Sequence, residues 1–179
     1  MKNIIEYKDG ATFLEDGTSD WQTKVESGKG WSYGAELFIQ KKFGDFTGWA
    51  GYTLSWTNRQ FPTLNGGEKF DYKYDRRHDF SVVGIYKFND RIEISGTWVY
   101  GTGNAFSIPV AKYEGYYWGD IYHYDGRNSA RMRDYHRLDI GASFSKVKKK
   151  GWERTWSVGI YNVYNRKNPF FIFIGTDNK

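Results

Sequence analysis

The stretch FSVVGIYKFNDRIEISGTWVYG, residues 80–101, constrains the chain more than any other. It turns back on itself at Asn89, Asp90 and Arg91, which sets Phe80, Val82, Gly84, Tyr86 and Phe88 opposite Tyr100, Trp98, Gly96, Ile94 and Ile92. None of these is charged, and keeping both apolar sets on one face predicts a three-residue loop. The reverse face carries Ser81, Lys87, Arg91, Glu93, Ser95 and Thr97. Side chains on a strand alternate with a period of two, so this ribbon is written for two different environments.

The same alternation recurs on either side. GWSYGAELFIQKKF (30–43) and FTGWAGYTLSW (46–56) flank Gly44-Asp45, a Gly-X pair suited to a type II′ turn. Pairing Phe43 with Phe46 sets Ile39 opposite Ala50, Leu37 opposite Tyr52, Ala35 opposite Leu54 and Tyr33 opposite Trp56. The reverse face then joins Phe38 to Gly51 and Glu36 to Thr53. A third ribbon, RLDIGASFSK (137–146) with RTWSVGIYNVYN (154–165), collects Leu138, Ile140, Ala142 and Phe144 with Trp156, Val158 and Ile160. Helix-period faces with caps do not occur. The expected class is all-β, an antiparallel up-and-down meander of about six long strands. Short turns alternate with long connections over residues 57–78 and 101–130, and residues 6–30 read as a further long polar loop, so the long loops are expected to share one end of the sheet.

Alternation alone does not distinguish a soluble sandwich from a membrane sheet. Three features favour lipid. Each strand offers about ten residues between its turn and its loop, the length that crosses a bilayer at the usual tilt. The uncharged face is bracketed by rings, Phe43, Phe46, Phe88, Phe144 and Trp156 on the turn side and Tyr33, Trp56, Phe80, Trp98, Tyr100 and Tyr164 on the loop side. Amphipathic rings settle at headgroup depth, and paired girdles of this kind flank the walls of outer-membrane barrels. The reverse face holds charges too frequent for a dry core. Aromatic residues make up 20% of the chain, yet the mean hydropathy is −0.74. The expected lipid-facing set is Leu37, Ile39, Tyr52, Leu54, Val82, Tyr86, Ile94, Trp98, Ile140, Val158 and Ile160. The expected lumen-facing set is Glu36, Thr53, Lys87, Glu93, Arg137 and Asp139. Asp134, His136 and Asn162 share the outward parity and are expected at the loop-side rim. About six strands do not close a barrel, so the chain reads as a curved segment of a large transmembrane β-barrel, occupying residues 1–179.

No run approaches the ~20 apolar residues of a spanning helix, and the first twenty residues lack the apolar core of a signal peptide. The chain has no cysteine, which removes disulfides and thiolate chemistry. Its net charge of +5 is scattered, and the densest basic run, Lys146 to Lys150, reads as a solvated turn rather than a nucleic-acid patch. The three histidines, His78, His123 and His136, lack metal-ligand spacing, and no catalytic motif or cofactor signature is present, so neither an enzymatic role nor a bound cofactor is expected. The run YDRRHD (74–79) reads as a salt-bridge cluster where a long loop re-enters the sheet. The loop KYEGYYWGDIYHYDGRNSARMRDY (112–135) offers Tyr113, Tyr116, Tyr117, Trp118, Tyr122 and Tyr124 as ligand-contact candidates, rings with polar tips that stack on sugars or aromatic ligands.

GKGWSYGAELFIQKK, GDFTGWAGYTLSW, YDRRHDFSVVGIYKF, WVYGTGNAFSIP, YHRLDIGASF and WSVGIYNVYNRKNPFFIF, in this order, resemble the C-terminal part of the barrel of TonB-dependent outer-membrane receptors, in the branch with a carboxypeptidase-regulatory-like domain before the plug. Together they cover most of residues 28–174. The resemblance implies a barrel of about 22 strands filled by a plug. Such a barrel binds a scarce nutrient outside and releases it inward when TonB pulls on an N-terminal box. It implies outer-membrane lipid as surroundings, contact with TonB through an N-terminal part not found here, and a possible surface lipoprotein partner. The sequence does not identify the nutrient. No plug domain, TonB box or signal peptide is found, so the chain is expected to be a fragment of such a receptor. The alternatives are a porin-like or adhesin-like barrel segment and a soluble, aromatic-rich, glycan-binding sandwich.

Overall fold

The computed structural model describes residues 1–8, 21–115, 121–147, 152–170 and 172. Its strands are β1 (Lys2–Tyr7), β2 (Val25–Lys41), β3 (Phe46–Gln60), β4 (Phe70–Asp71), β5 (His78–Asn89), β6 (Ile92–Gly101), β7 (Ala105–Phe106), β8 (Pro109–Tyr113), β9 (Ile121–Tyr124), β10 (Ala130–Arg131), β11 (Tyr135–Val147) and β12 (Glu153–Ile160), with short 3-10 turns at Trp21–Lys24 and Leu64–Gly67. One antiparallel sheet runs in the order β1-β2-β3-β5-β6-β11-β12, with β4 paired to β3, while β7 pairs with β10 and β8 with β9. The protein is therefore all-β, and its long strands form the expected up-and-down meander. No described helix is long and apolar enough to cross a membrane, which says nothing of a sheet.

The chain divides into two compact units. The first comprises Met1–Gly34, Ser55–Arg76 and Asn104–Met132; the second comprises Ala35–Leu54, Arg77–Gly103 and Arg133–Lys179.

The second unit is a single sheet whose rows follow the sequence pattern. On one face Ala50, Val82, Trp98 and Leu138 stand in register, then Gly48, Gly84, Gly96, Ile140 and Ile160, then Phe46, Tyr86, Ile94, Ala142 and Val158. The reverse face aligns Trp49, Val83, Thr97 and Asp139, and further on Lys87, Glu93, Ser143 and Ser157. The glycine row has a packing reason. The Phe46 ring lies where a side chain on Gly84 would begin, 3.2 Å from the position of its Cβ, and a Cβ on Gly48 would stand 2.2 Å from the Val83 carbonyl oxygen. In β2 and β3 the predicted register is matched by Phe38, whose ring lies 3.8 Å from where a Gly51 Cβ would stand. Gly44 has φ +91°, the left-handed backbone that its turn requires.

Two expectations are corrected here. The hairpin at Asn89 does not carry a three-residue loop with Phe88 opposite Ile92; the register shifts after Lys87, and Asn89 pairs with Ile92. The Asn89 side chain is the cause, because its Oδ1 accepts from the backbone N–H groups of Arg91 and Ile92 at 2.8 and 3.0 Å, an Asx turn that leaves Phe88 as the extra residue of a bulge. The last strand stops at Ile160 rather than running to residue 165. Asn162 and Asn165 adopt φ of 52° and 50°, and Asn162 Oδ1 accepts from the Arg166 backbone N–H at 3.1 Å, so local amide bonding replaces the ladder.

The first unit holds the only buried large side chains among the described residues. Phe61, Leu64 and Phe70 form a small core with Ile4 against it. The segment read as a polar loop from residue 6 to 30 contains more order than the sequence suggests, since β1 pairs with the start of β2 from Lys2 with Lys29 to Tyr7 with Val25. Gly28 is obligatory in this core, because a Cβ there would meet Phe61 Cδ1 and the Gln60 carbonyl oxygen, both at 2.4 Å. Tyr33 stacks on Trp56 with centroids 5.4 Å apart, and Ser32 Oγ lies 3.2 Å from Thr57 Oγ1, both in the predicted β2–β3 register.

Candidate functional site

The sheet of the second unit buries no side chain at all; its only buried positions among the described residues are Gly101 and Gly103. Leu37, Ile39, Val158 and Ile160 are 59–63% exposed, and Tyr86, Ile94 and Ile140 are exposed as well. Tyr52, Leu54, Val82 and Trp98 are half-buried by their strand neighbours. Moving a Val, Leu or Ile side chain out of water is worth about 1.5–3 kcal/mol. Over Leu37, Ile39, Val82, Ile94, Ile140, Val158 and Ile160, most of them with about half their surface still open, that is on the order of 5–10 kcal/mol, comparable with the net stability of an ordinary domain. A face this apolar is therefore a binding surface in the energetic sense.

The reverse face pairs its charges locally. Arg137 Nε lies 2.9 Å from Asp139 Oδ2, and its Nη1 donates to the hydroxyls of Tyr135 and Tyr161 at 3.0 and 2.6 Å. Lys87 stands in register with Glu93 and bridges to Asp90 at 3.1 Å. Thr53 stands in register with Asp79, and Glu36 is exposed.

One end of the apolar face carries a continuous chain of rings. Tyr52 touches Phe80, Phe80 meets Trp98 edge-on at 5.5 Å, Trp98 stacks on Tyr100, Tyr100 on His136, and His136 meets Tyr164 at 5.3 Å. The polar residues of this rim bond to the tips of those rings. The Tyr100 hydroxyl donates to Asp134 Oδ2 at 2.7 Å, His136 Nδ1 lies 2.8 Å from the Tyr164 hydroxyl, and His78 Nδ1 lies 2.8 Å from that of Tyr52. Asp134 and His136 thus have hydrogen-bond partners on the rings beside them.

The first unit is tied together by carboxylates. Asp75, fully buried, pairs with Arg131 and accepts the backbone N–H of Thr57, and Arg131 also reaches Asp71 at 2.6 Å. Burial works against the charge of the Arg131 guanidinium, but the Asp75 bond and field, with those of Asp71, outweigh it and raise its pKa above the ordinary arginine value. Glu6 receives Arg59 at 2.7 Å and Arg127 at 3.6 Å, with the Arg59 guanidinium stacked 3.5 Å from the Tyr72 ring centroid. YDRRHD thus anchors the fold through Asp75, as a cluster reading implies, and one partner of that carboxylate is Arg131, far along the chain. Sequence offered no signal for that pairing beyond the presence of both residues in long connections.

Beside this network an open cavity of ≈ 700 Å³ is lined by Asn65, Phe70, Asp71, Tyr124 and Asn128, among others. Its amides are already committed: Asn65 Oδ1 accepts from Arg127 N at 2.8 Å, and Asn128 Nδ2 donates to the Asp71 carbonyl at 2.8 Å. Such bonding fixes the shape of the cavity. Of the candidate ligand-contact aromatics among the described residues, Tyr113, Tyr122 and Tyr124, only Tyr124 lines it. Tyr113, which is exposed, pairs with Ile121, while Tyr122 pairs with Lys112, so alternation sends Tyr113 and Tyr122 to opposite faces of the β8–β9 ribbon. Tyr116, Tyr117 and Trp118 lie outside the described residues, as do Lys148 to Lys150. No group of three His, Asp or Glu side chains suited to a metal ion gathers among the described residues. Comparison with known proteins found no matching family model, no matching curated protein and no matching solved structure.

Proposed function

We propose that the chain is part of the wall of an outer-membrane β-barrel, in a TonB-dependent receptor that takes up a scarce nutrient. One observation carries the reading: the sheet of the second unit leaves its apolar face uncovered by protein while charges populate the reverse. Hydrocarbon on one side and water on the other satisfy both faces. The ring chain from Tyr52 to Tyr164 supports it, since rings with polar tips bonded outward fit headgroup depth. The receptor identity rests on the motif series alone, of which WVYGTGNAFSIP runs from the end of β6 through β7 and the last stretch begins on β12. In the soluble sandwich alternative Leu37, Tyr52, Val82 and Ile94 would be covered by a second sheet; Leu37 and Ile94 are exposed.

The absence of cysteine makes the test direct. Single cysteines at positions 36, 37, 86, 87, 93 and 94 are labelled with an environment-sensitive fluorophore, and the chain is reconstituted into phosphatidylcholine vesicles. Labels at 37, 86 and 94 should be quenched by spin-labelled acyl chains, and those at 36, 87 and 93 by aqueous iodide. Equal quenching of both classes, or a chain that is monomeric in water without detergent, overturns the proposal.

A further inference from the structure

At the turn end of the sheet the apolar face finishes in a row of three side chains across three strands, Ile92, Phe144 and Trp156, held in register by both ladders of β11. The next row is cationic. Lys146 stands directly opposite Arg154, and Arg91, expected from the sequence on the reverse face, sits instead in the turn, where strand alternation does not hold, and lines the same groove. Like charges directly opposite one another on adjacent strands destabilise a sheet. Nothing among the described residues relieves this pair. The neighbouring acids are turned elsewhere, because Glu93 and Glu153 have the reverse parity and Asp90 bridges to Lys87 at 3.1 Å. Arg154 rests its guanidinium 4.7 Å from the centroid of the Trp156 ring, which holds it at the lip of the apolar row. The two rows together line a groove of ≈ 450 Å³.

A groove with an apolar floor and three cations at one end has the polarity of one molecule type, a phospholipid with an anionic headgroup. We infer that Arg91, Lys146 and Arg154 bind the phosphate of an anionic phospholipid whose acyl chain lies along Ile92, Phe144 and Trp156. The inference rests on the reading of this face as lipid-exposed and adds to it a headgroup preference at one depth. The paired cations are then a site rather than a fault in the sheet, since a bridging phosphate converts their repulsion into two charge-assisted hydrogen bonds.

The test uses the whole chain in vesicles containing brominated phosphatidylglycerol or brominated phosphatidylcholine at equal mole fraction. The reading is the quenching assigned to Trp156 by difference from the Trp156→Phe variant. Phosphatidylglycerol should quench more strongly at low mole fraction. The Lys146→Gln/Arg154→Gln variant should lose about 25-fold in apparent affinity for it, at the roughly fivefold per basic residue found near anionic lipid surfaces. Lys146→Arg, which keeps the charge, should retain the preference and controls for misfolding of the double variant. Equal quenching by the two lipids, or an unchanged preference in the double variant, overturns the inference while leaving the lipid-facing sheet intact. Loss of the preference on adding millimolar inorganic phosphate overturns the assignment to a lipid. Absence of quenching by either lipid removes the lipid-facing reading and the inference with it.

Discussion

An arginine moved along the apolar face should report depth. On β6 the face runs from Ile92 at the turn to Tyr100 at the ring chain. That is about 27 Å of strand at ~3.4 Å per residue, or ~21 Å along the membrane normal at a tilt of ~40°, close to the ~25 Å apolar band of such walls. On β11 the same interval lies between Phe144 and His136, with Ile140 at its centre. Cations at the midplane of a barrel wall cost about 2–4 kcal/mol and near the interface about 0–1 kcal/mol. Ile140→Arg should therefore cost about 2–4 kcal/mol, Phe80→Arg no more than about 1 kcal/mol, and Glu36→Arg on the reverse face almost nothing. Equilibrium urea unfolding in thin phospholipid vesicles, followed by tryptophan fluorescence, measures the series. A cost that does not vary along the strand, or one shared by Glu36→Arg, would refute the assignment of faces.

The remaining predictions concern the rim and the small core. Arg131→Met takes away the guanidinium paired with the buried Asp75 carboxylate and should cost about 3–5 kcal/mol, whereas adding Asp75→Asn to that variant should recover part of the loss, a non-additivity that a double-mutant cycle reads directly. Gly28→Val should destabilise by about 1–3 kcal/mol through collision with Phe61 and the Gln60 carbonyl, while Gly126→Ala, where the nearest atom stands at 3.5 Å, should stay within about 0.5 kcal/mol by thermal melting. Tyr100→Phe removes the hydroxyl donor to Asp134 and should cost about 1–2 kcal/mol, and equal melting of variant and parent would show that water replaces it.

What could be read from the sequence was whatever repeats along a strand. Faces follow from a period of two, so the pairing of Val82 with Trp98, and the common face of Ala142 and Val158, were accessible from hydrophobic pattern and turn chemistry, while the register of the last ribbon was not. The register error within a ribbon, at Phe88, came from a side chain, Asn89, that bonds its own backbone and shifts the count by one. The first unit was opaque for a different reason. Its contacts join residues far apart in sequence, as Arg131 joins Asp75 and Arg127 joins Glu6, and no local periodicity marks such pairs. Among the loop aromatics, the β8–β9 ladder sends Tyr113 and Tyr122 to opposite faces, an arrangement that composition does not reveal.

The buried carboxylate of Asp75 has a mechanical consequence. It fastens three passages of the chain at one point, the end of β3 through Thr57, its own loop, and β10 through Arg131. None of the three can swing outward by itself without abandoning an ion in a dry place. Opening is therefore concerted, and amide exchange at Thr57 and at Asp75, whose N–H bonds to the Tyr72 carbonyl at 2.7 Å, should proceed at a common rate set by one event.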